Sequence, residues 1–181
     1  MARSRNSCIY GGPVMKYQRM IVIGCPGSGK STFSYRLRDK TGIPLCHLDM
    51  IFHRPDRTTI PKEEFDKRLS DILEREQWII DGNYQRTLLV RFEKCDTVFL
   101  FDLPMEECIN GIKERIGRSR DDMPWIESEA DNGFLERVLN FRDDKLPAIY
   151  KLIEKYGALK NIIVFHSRHE ADRWLEDGDL T

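Results

Sequence analysis

Nine consecutive residues restrict the fold of this chain more than any other feature. The apolar run Met20-Ile21-Val22-Ile23 stops at Gly24, and Gly24-Cys25-Pro26-Gly27-Ser28-Gly29-Lys30-Ser31-Thr32 follows. The pattern is G-x-x-x-x-G-K-[ST], set between a strand signal and a helix signal. Glycines let backbone N–H groups wrap around phosphate oxygens, and the helix opening near Lys30 adds its positive end. Gly24, Pro26, Gly27, Ser28, Gly29, Lys30, Ser31 and Thr32 are therefore expected to bind the phosphates of a nucleotide. Lys30 is expected to reach the β- and γ-phosphates and Ser31 to ligate Mg²⁺.

The rest of the chain continues the alternation. Apolar runs at 45–48, 78–80, 98–101 and 162–165 read as four more strands. Helical spacing is expected over 31–38, from Pro61 through Leu73, over 84–91, through Met105, Ile109, Ile112 and Ile116, over 134–156 with a break near Pro147, and over 170–175. Five apolar strands alternating with helices imply a parallel sheet covered on both faces, the three-layer α/β sandwich of P-loop NTPases. Ligands in such sheets sit beyond the carboxyl ends of the strands. Gly24, Asp49, Asp81, Asp102 and Ser167 are expected to converge on that rim.

Composition removes several alternatives. A chain of 181 residues makes one domain. Its net charge of −1 argues against a general polyanion binder, and no apolar run approaches a membrane span of ~20 residues. Five cysteines without a C-x-x-C pair argue against a disulfide framework or a zinc site. No apolar stretch follows Arg3 and Arg5, so no signal peptide is read and a cytoplasmic protein is expected. Residues 1–19 read as a disordered N-terminal arm or tag. Residues 20–181 read as a single domain with a short helical lid inserted around 117–133.

N-K-x-D and L-S-G-G-Q segments are both missing from the sequence. Beside the phosphate loop stand Trp78-Ile79-Ile80-Asp81-Gly82-Asn83-Tyr84-Gln85-Arg86, the tract Asp96 to Pro104, the segment Arg115 to Arg120, and Phe165-His166-Ser167-Arg168. Together these resemble nucleoside monophosphate kinases, in particular the adenylate-kinase-like subgroup often labelled DNA topology modulation proteins. The resemblance runs from Met20 to Glu176. It implies a five-stranded parallel core, a mobile lid, ATP with Mg²⁺, and a nucleotide-like acceptor. Two departures concern the acceptor side: Arg86 sits one residue later than the arginine of the D-G-F-P-R pattern, and 49–57 matches only loosely. The zinc-binding cysteine lid of some relatives is also missing.

Individual residues carry competing readings. Asp81 is read as orienting the metal or its waters, against a turn-forming role before Gly82. Asp102 serves equally well as an N-cap for the helix near Pro104. Asp49 is read as holding an acceptor hydroxyl or a metal water. Arg54 and Arg86 are read as acceptor-phosphate ligands, although loop arginines are often merely solvated. Lys113, Arg115, Arg118 and Arg120 either complement a helix dipole or close a lid over the transferring phosphate, and Lys30, Arg86, Arg115 and Arg118 are the candidates for catalysis. One of Arg137 and Arg142 is expected to reach the phosphates. Ser167 and Arg168 are implied as adenine contacts by the resemblance, against helix capping by Ser167. The four histidines show no metal-ligand spacing, and Trp78, Trp125 and Trp174 read as packing residues.

The expected function is Mg·ATP-dependent phosphotransfer to a small phosphate-bearing or hydroxyl acceptor, first among them a nucleoside monophosphate such as AMP. The protein is expected to be a monomer or weak dimer, with no membrane or nucleic-acid partner. The alternative is an ATP-binding regulator of DNA topology that uses the basic arm Arg3, Arg5, Lys16 and Arg19. The acidic tail (Glu170, Asp172, Glu176, Asp177, Asp179) speaks against strong duplex binding.

Overall fold

A computed structural model describes residues 17–126, 136 and 138–178. Five strands form one parallel sheet: β1 (Arg19–Gly24), β2 (Leu45–His47), β3 (Trp78–Asp81), β4 (Thr97–Phe101) and β5 (Asn161–Phe165). Their order is β2-β3-β1-β4-β5. The apolar runs form strands because both faces of each are covered, and nearly every residue of β1, β3, β4 and β5 is buried. β1 starts at Arg19, whose N–H donates to Asp96 at 2.7 Å.

The helices are α1 (Lys30–Thr41), α2 (Leu48–Phe52), α3 (Lys62–Leu73), α4 (Gln85–Lys94), α5 (Met105–Arg115), α6 (Leu146–Tyr156) and α7 (Arg168–Asp177). α1 packs Phe33 against Phe99, Phe101 and Phe165 at 5.0, 5.3 and 5.4 Å. Trp174 of α7 closes the same cluster, 4.8 Å from Phe99. This face fixes α1, and therefore the end of α1 that meets phosphate, against the centre of the sheet. Among the described residues no helix is long and apolar enough to cross a membrane.

The expected break near Pro147 takes the form of a π-helical turn over Phe141–Lys145 that leads into α6. Proline has no N–H to continue an α-helical ladder, and a widened turn is one way to absorb the loss. α2 was not foreseen, because five residues are too few to show a period. Asp102 does not cap α5: Pro104 holds that position, and Asp102 Oδ2 accepts from the Tyr150 hydroxyl at 2.7 Å.

Strand register brings the site together. His47 pairs with Asp81, Val22 with Asp81, and Gly24 with Phe101. The ends of β2, β3 and β1 therefore share one level of the rim, next to the point where the chain crosses from one half of the sheet to the other.

Candidate active site

The phosphate loop lies at the end of β1 and is held from three sides. Asn83 clamps it with both amide atoms: Oδ1 accepts from Gly24 N–H at 3.0 Å, and Nδ2 donates to the Gly24 carbonyl at 2.9 Å. α5 meets its tip so closely that a Cβ on Gly27 would lie 2.1 Å from the Cys108 carbonyl oxygen. Reciprocally, a Cβ on Gly111 would lie 2.1 Å from the Gly27 oxygen. Arg168 donates across the gap to the Gly27 oxygen at 3.0 Å and to the Glu107 oxygen at 3.3 Å.

The turn that carries Asn83 has its own support. Arg91 of α4 is fully buried, and its guanidinium donates to the carbonyls of Gly82, Asn83 and Tyr84 at 2.8, 2.9 and 3.0 Å. Burial pulls its pKa down to about 10. Arg91→Met leaves three buried carbonyls without donors, at ~1–3 kcal/mol each. It should lower unfolding stability by about 3 kcal/mol or more, read as a fall in urea midpoint at unchanged m-value; a loss under about 1 kcal/mol contradicts this role.

A cleft of about 1100 Å³ opens over this rim. Its floor is the loop from Pro26 to Thr32, with Asp81 beside it. Arg115 at the end of α5, and Arg118, Arg120, Asp122 and Trp125 beyond it, also line the cleft. One end carries Arg168 and Ala171, and the other carries Asp49, His53, Arg57 and Tyr84.

Lys30 Nζ donates to the Cys25 carbonyl at 2.8 Å. Burial pushes its pKa down, and the Asp81 carboxylate opposes that shift. Ser31 Oγ lies 2.9 Å from Asp81 Oδ2 and 2.5 Å from Asp122 Oδ2. A hydroxyl has one proton and can donate to only one of these carboxylates at a time. A divalent cation among the three oxygens satisfies all of them, so the donor set fits Mg²⁺. Asp122 is also gripped by Arg120, Nε to Oδ1 at 2.8 Å and Nη2 to Oδ2 at 2.8 Å. Burial works against its charge, but the Arg120 and Ser31 bonds outweigh this and hold its carboxyl below the ordinary value.

At the other end Asp49 Oδ1 accepts from the Tyr84 hydroxyl at 2.8 Å, with His53 Nε2 at 4.0 Å. Desolvation raises the Asp49 carboxyl, and the Tyr84 bond partly offsets the rise. Trp125 stands edge-on to His53 at 5.0 Å.

Most of the expected site residues meet in this cleft: Pro26 through Thr32, Asp49, Asp81, Arg115, Arg118 and Arg168. Gly24 lies beneath it, where a Cβ would strike Phe101. Four others are placed elsewhere. Arg86 forms a two-pronged pair with Asp66 of α3, both contacts at 2.7 Å, because α3 and α4 lie side by side there. Arg54 belongs to the turn beyond α2, its N–H on the Thr58 carbonyl, while Arg57 of that turn reaches the cleft. Arg142 donates to the Leu103 carbonyl at 3.4 Å and lines a small separate pocket. Ser167 accepts from Glu170 N–H and caps α7. Arg137 lies outside the described residues, as does the expected lid beyond 126, apart from its flanking residues.

Sequence reasoning missed His47 and Asp122. His47 Nδ1 lies 2.9 Å from Asp81 Oδ2, and its ring is largely buried. The adjacent Asp121-Asp122, following Arg120, was the one available signal for the second.

No family model matches the chain. It is 30% identical over 87 residues to an adenylate kinase of Thermotoga neapolitana, which covers 46% of this chain. The chain spans 38% of the length of that relative. Among solved structures, a shikimate kinase from Bacteroides thetaiotaomicron aligns at TM-score 0.54 and 12% identity, over 88% of this chain and 95% of the other. A gluconokinase from Sinorhizobium meliloti 1021 aligns at TM-score 0.51 and 13% identity, over 90% and 94%. The chain thus has the three-layer P-loop fold of small-molecule kinases, with a partial sequence likeness to adenylate kinases.

Proposed function

We propose that this chain transfers the γ-phosphoryl group of ATP to a small acceptor. One observation carries the reading: Lys30, Ser31, Asp81, Arg115 and Arg118 all line a single cleft. In phosphoryl transfer the protein contributes positioning and charge compensation, and this arrangement supplies both. The triphosphate lies along Pro26 to Thr32, with the base toward Arg168. Mg²⁺, when bound by Ser31 and Asp81, neutralises charge on the phosphate oxygens. Lys30 and the two arginines balance the charge that remains, and the arginine segment shields the reaction from water.

The acceptor lies at the Asp49 end. Its oxygen attacks the γ-phosphorus, the bond to the β-phosphate oxygen breaks, and ADP departs. Asp49 takes the hydroxyl proton, with Tyr84 fixing the carboxylate. Among the described residues this end has Arg57 as its arginine, since Arg86 is held by Asp66. A carboxylate beside one arginine suits a hydroxyl better than a doubly charged phosphate. The second reading, a nucleoside monophosphate such as AMP, is favoured by the likeness to adenylate kinases.

Both readings are tested by ADP release with two acceptor sets, the nucleoside monophosphates and a set of sugar acids, polyols and hydroxy acids. Turnover is expected with a member of the second set. Asp49→Asn should cut it about 10²-fold or more while leaving ATP affinity within about twofold. Turnover with AMP that Asp49→Asn leaves unchanged selects the nucleotide acceptor instead.

A further inference from the structure

His47 stands apart from the expected phosphotransfer machinery, yet it reaches the same cluster. It ends β2, Asp81 ends β3, Ser31 opens α1, and Asp122 arrives from the segment beyond α5. One ligand atom each from His47, Asp81 and Asp122 lie within 4.8 Å of one another. Asp81 and Asp122 are each 5% exposed, and the His47 side chain is 9% exposed. Among the described residues His47 Nε2 has no hydrogen-bond partner. The nitrogen that faces the cluster is Nδ1, and one imidazole cannot turn both nitrogens to the same ion, so Nδ1 is the ligand atom.

The spacings suit coordination. Neighbouring donors on an octahedral ion with ~2.1 Å bonds are about 3 Å apart. His47 Nδ1 to Asp81 Oδ2 and Ser31 Oγ to Asp81 Oδ2 are both 2.9 Å. Mg²⁺ in phosphoryl transfer usually takes one or two carboxylates, keeps several waters, and relies on substrate phosphates. Here the protein offers a hydroxyl, two carboxylates and an imidazole. That set supplies four donors without a nucleotide, and imidazole nitrogen suits first-row transition ions better than Mg²⁺.

We propose that Ser31, His47, Asp81 and Asp122 form a cage for a divalent first-row transition ion such as Mn²⁺ or Co²⁺, which binds before any nucleotide and in preference to Mg²⁺. The proposal deepens the kinase reading, since Ser31 and Asp81 serve the ion in both. It adds His47 as a nitrogen ligand and Asp122 as a ligand carried by the arginine-bearing segment. The ion then ties that segment to the phosphate loop, where Asp122 already lies 2.5 Å from Ser31. An alternative role for His47 is a plain hydrogen-bonded pair with Asp81.

The test uses the full chain, stripped by a chelator and free of nucleotide. Mn²⁺ is titrated with the free ion read by electron paramagnetic resonance, and Mg²⁺ is added as competitor. One Mn²⁺ per chain is expected, held at least about tenfold more tightly than Mg²⁺. His47→Gln and Asp122→Asn should each weaken Mn²⁺ by about tenfold or more. Electron spin-echo modulation on the wild-type complex should show a directly bound imidazole nitrogen, a readout that needs no variant to fold. Lys30→Ala should keep the ion while losing ATP. No Mn²⁺ binding without nucleotide, unchanged binding in His47→Gln, or no nitrogen coupling overturns the cage and leaves the kinase reading standing. A chain that holds Mn²⁺ through His47 but never binds ATP keeps the cage and removes the kinase reading.

Discussion

Replacing Lys30 by methionine should lower ATP-dependent phosphotransfer about 10³-fold while the protein keeps its fold. Lys30 is the one lysine in the phosphate loop, and its ammonium is pointed at the Cys25 carbonyl, 2.8 Å away. Burial penalises that charge, and Asp81 compensates for only part of the penalty. A bound triphosphate supplies the missing negative charge, so the interaction is strongest when phosphate oxygens gain charge in the transition state. Removing one well-placed donor of this kind costs about 10²–10³ in rate, and a full charge belongs at the upper end. Methionine fills the space without burying a charge, so the thermal midpoint should hold or rise. Comparable turnover in Lys30→Met, or a collapse of its fold, contradicts this assignment.

Asp81→Asn should be nearly as damaging, by about 10²-fold or more in kcat at saturating Mg²⁺. Asp81 is 5% exposed and receives both Ser31 and His47 on one carboxylate oxygen. Asparagine keeps the shape and one carbonyl oxygen, but it removes the charge that holds a cation against the loop. The Mg²⁺ concentration needed for half-maximal rate should also rise. The measurement is kcat against Mg²⁺ concentration, with ATP held saturating. A variant that reaches the wild-type kcat once enough Mg²⁺ is present would mean that Asp81 only shapes the turn before Gly82.

Four of the five strands were legible because each carries an uninterrupted apolar run that stops at a small or polar residue, whereas β2 (Leu45–His47) is short and includes His47. The phosphate loop was legible because its chemistry depends on residues adjacent in the chain. Contacts between distant residues were hidden. Arg86 looked like an acceptor ligand, but its partner Asp66 lies twenty residues away on another helix. Arg91 drew no reading beyond ending the helical spacing over 84–91, because nothing local reveals that three carbonyls enclose it. His47 and Asp122 escaped for the same reason: only the β2–β3 register and the path of the chain after α5 bring them to Asp81. Ser167 went the other way. Its capping bond to Glu170 was readable from local spacing alone.

The most direct test of the central claim follows the γ-phosphate itself. ATP labelled at that position is incubated with the full chain, Mg²⁺ and a protein-free extract of small metabolites, and the products are separated by chromatography. The account predicts a new labelled small molecule, formed by the wild-type chain and missing with Lys30→Met. Label that stays on ATP or appears only as inorganic phosphate, equally with both proteins, would contradict it.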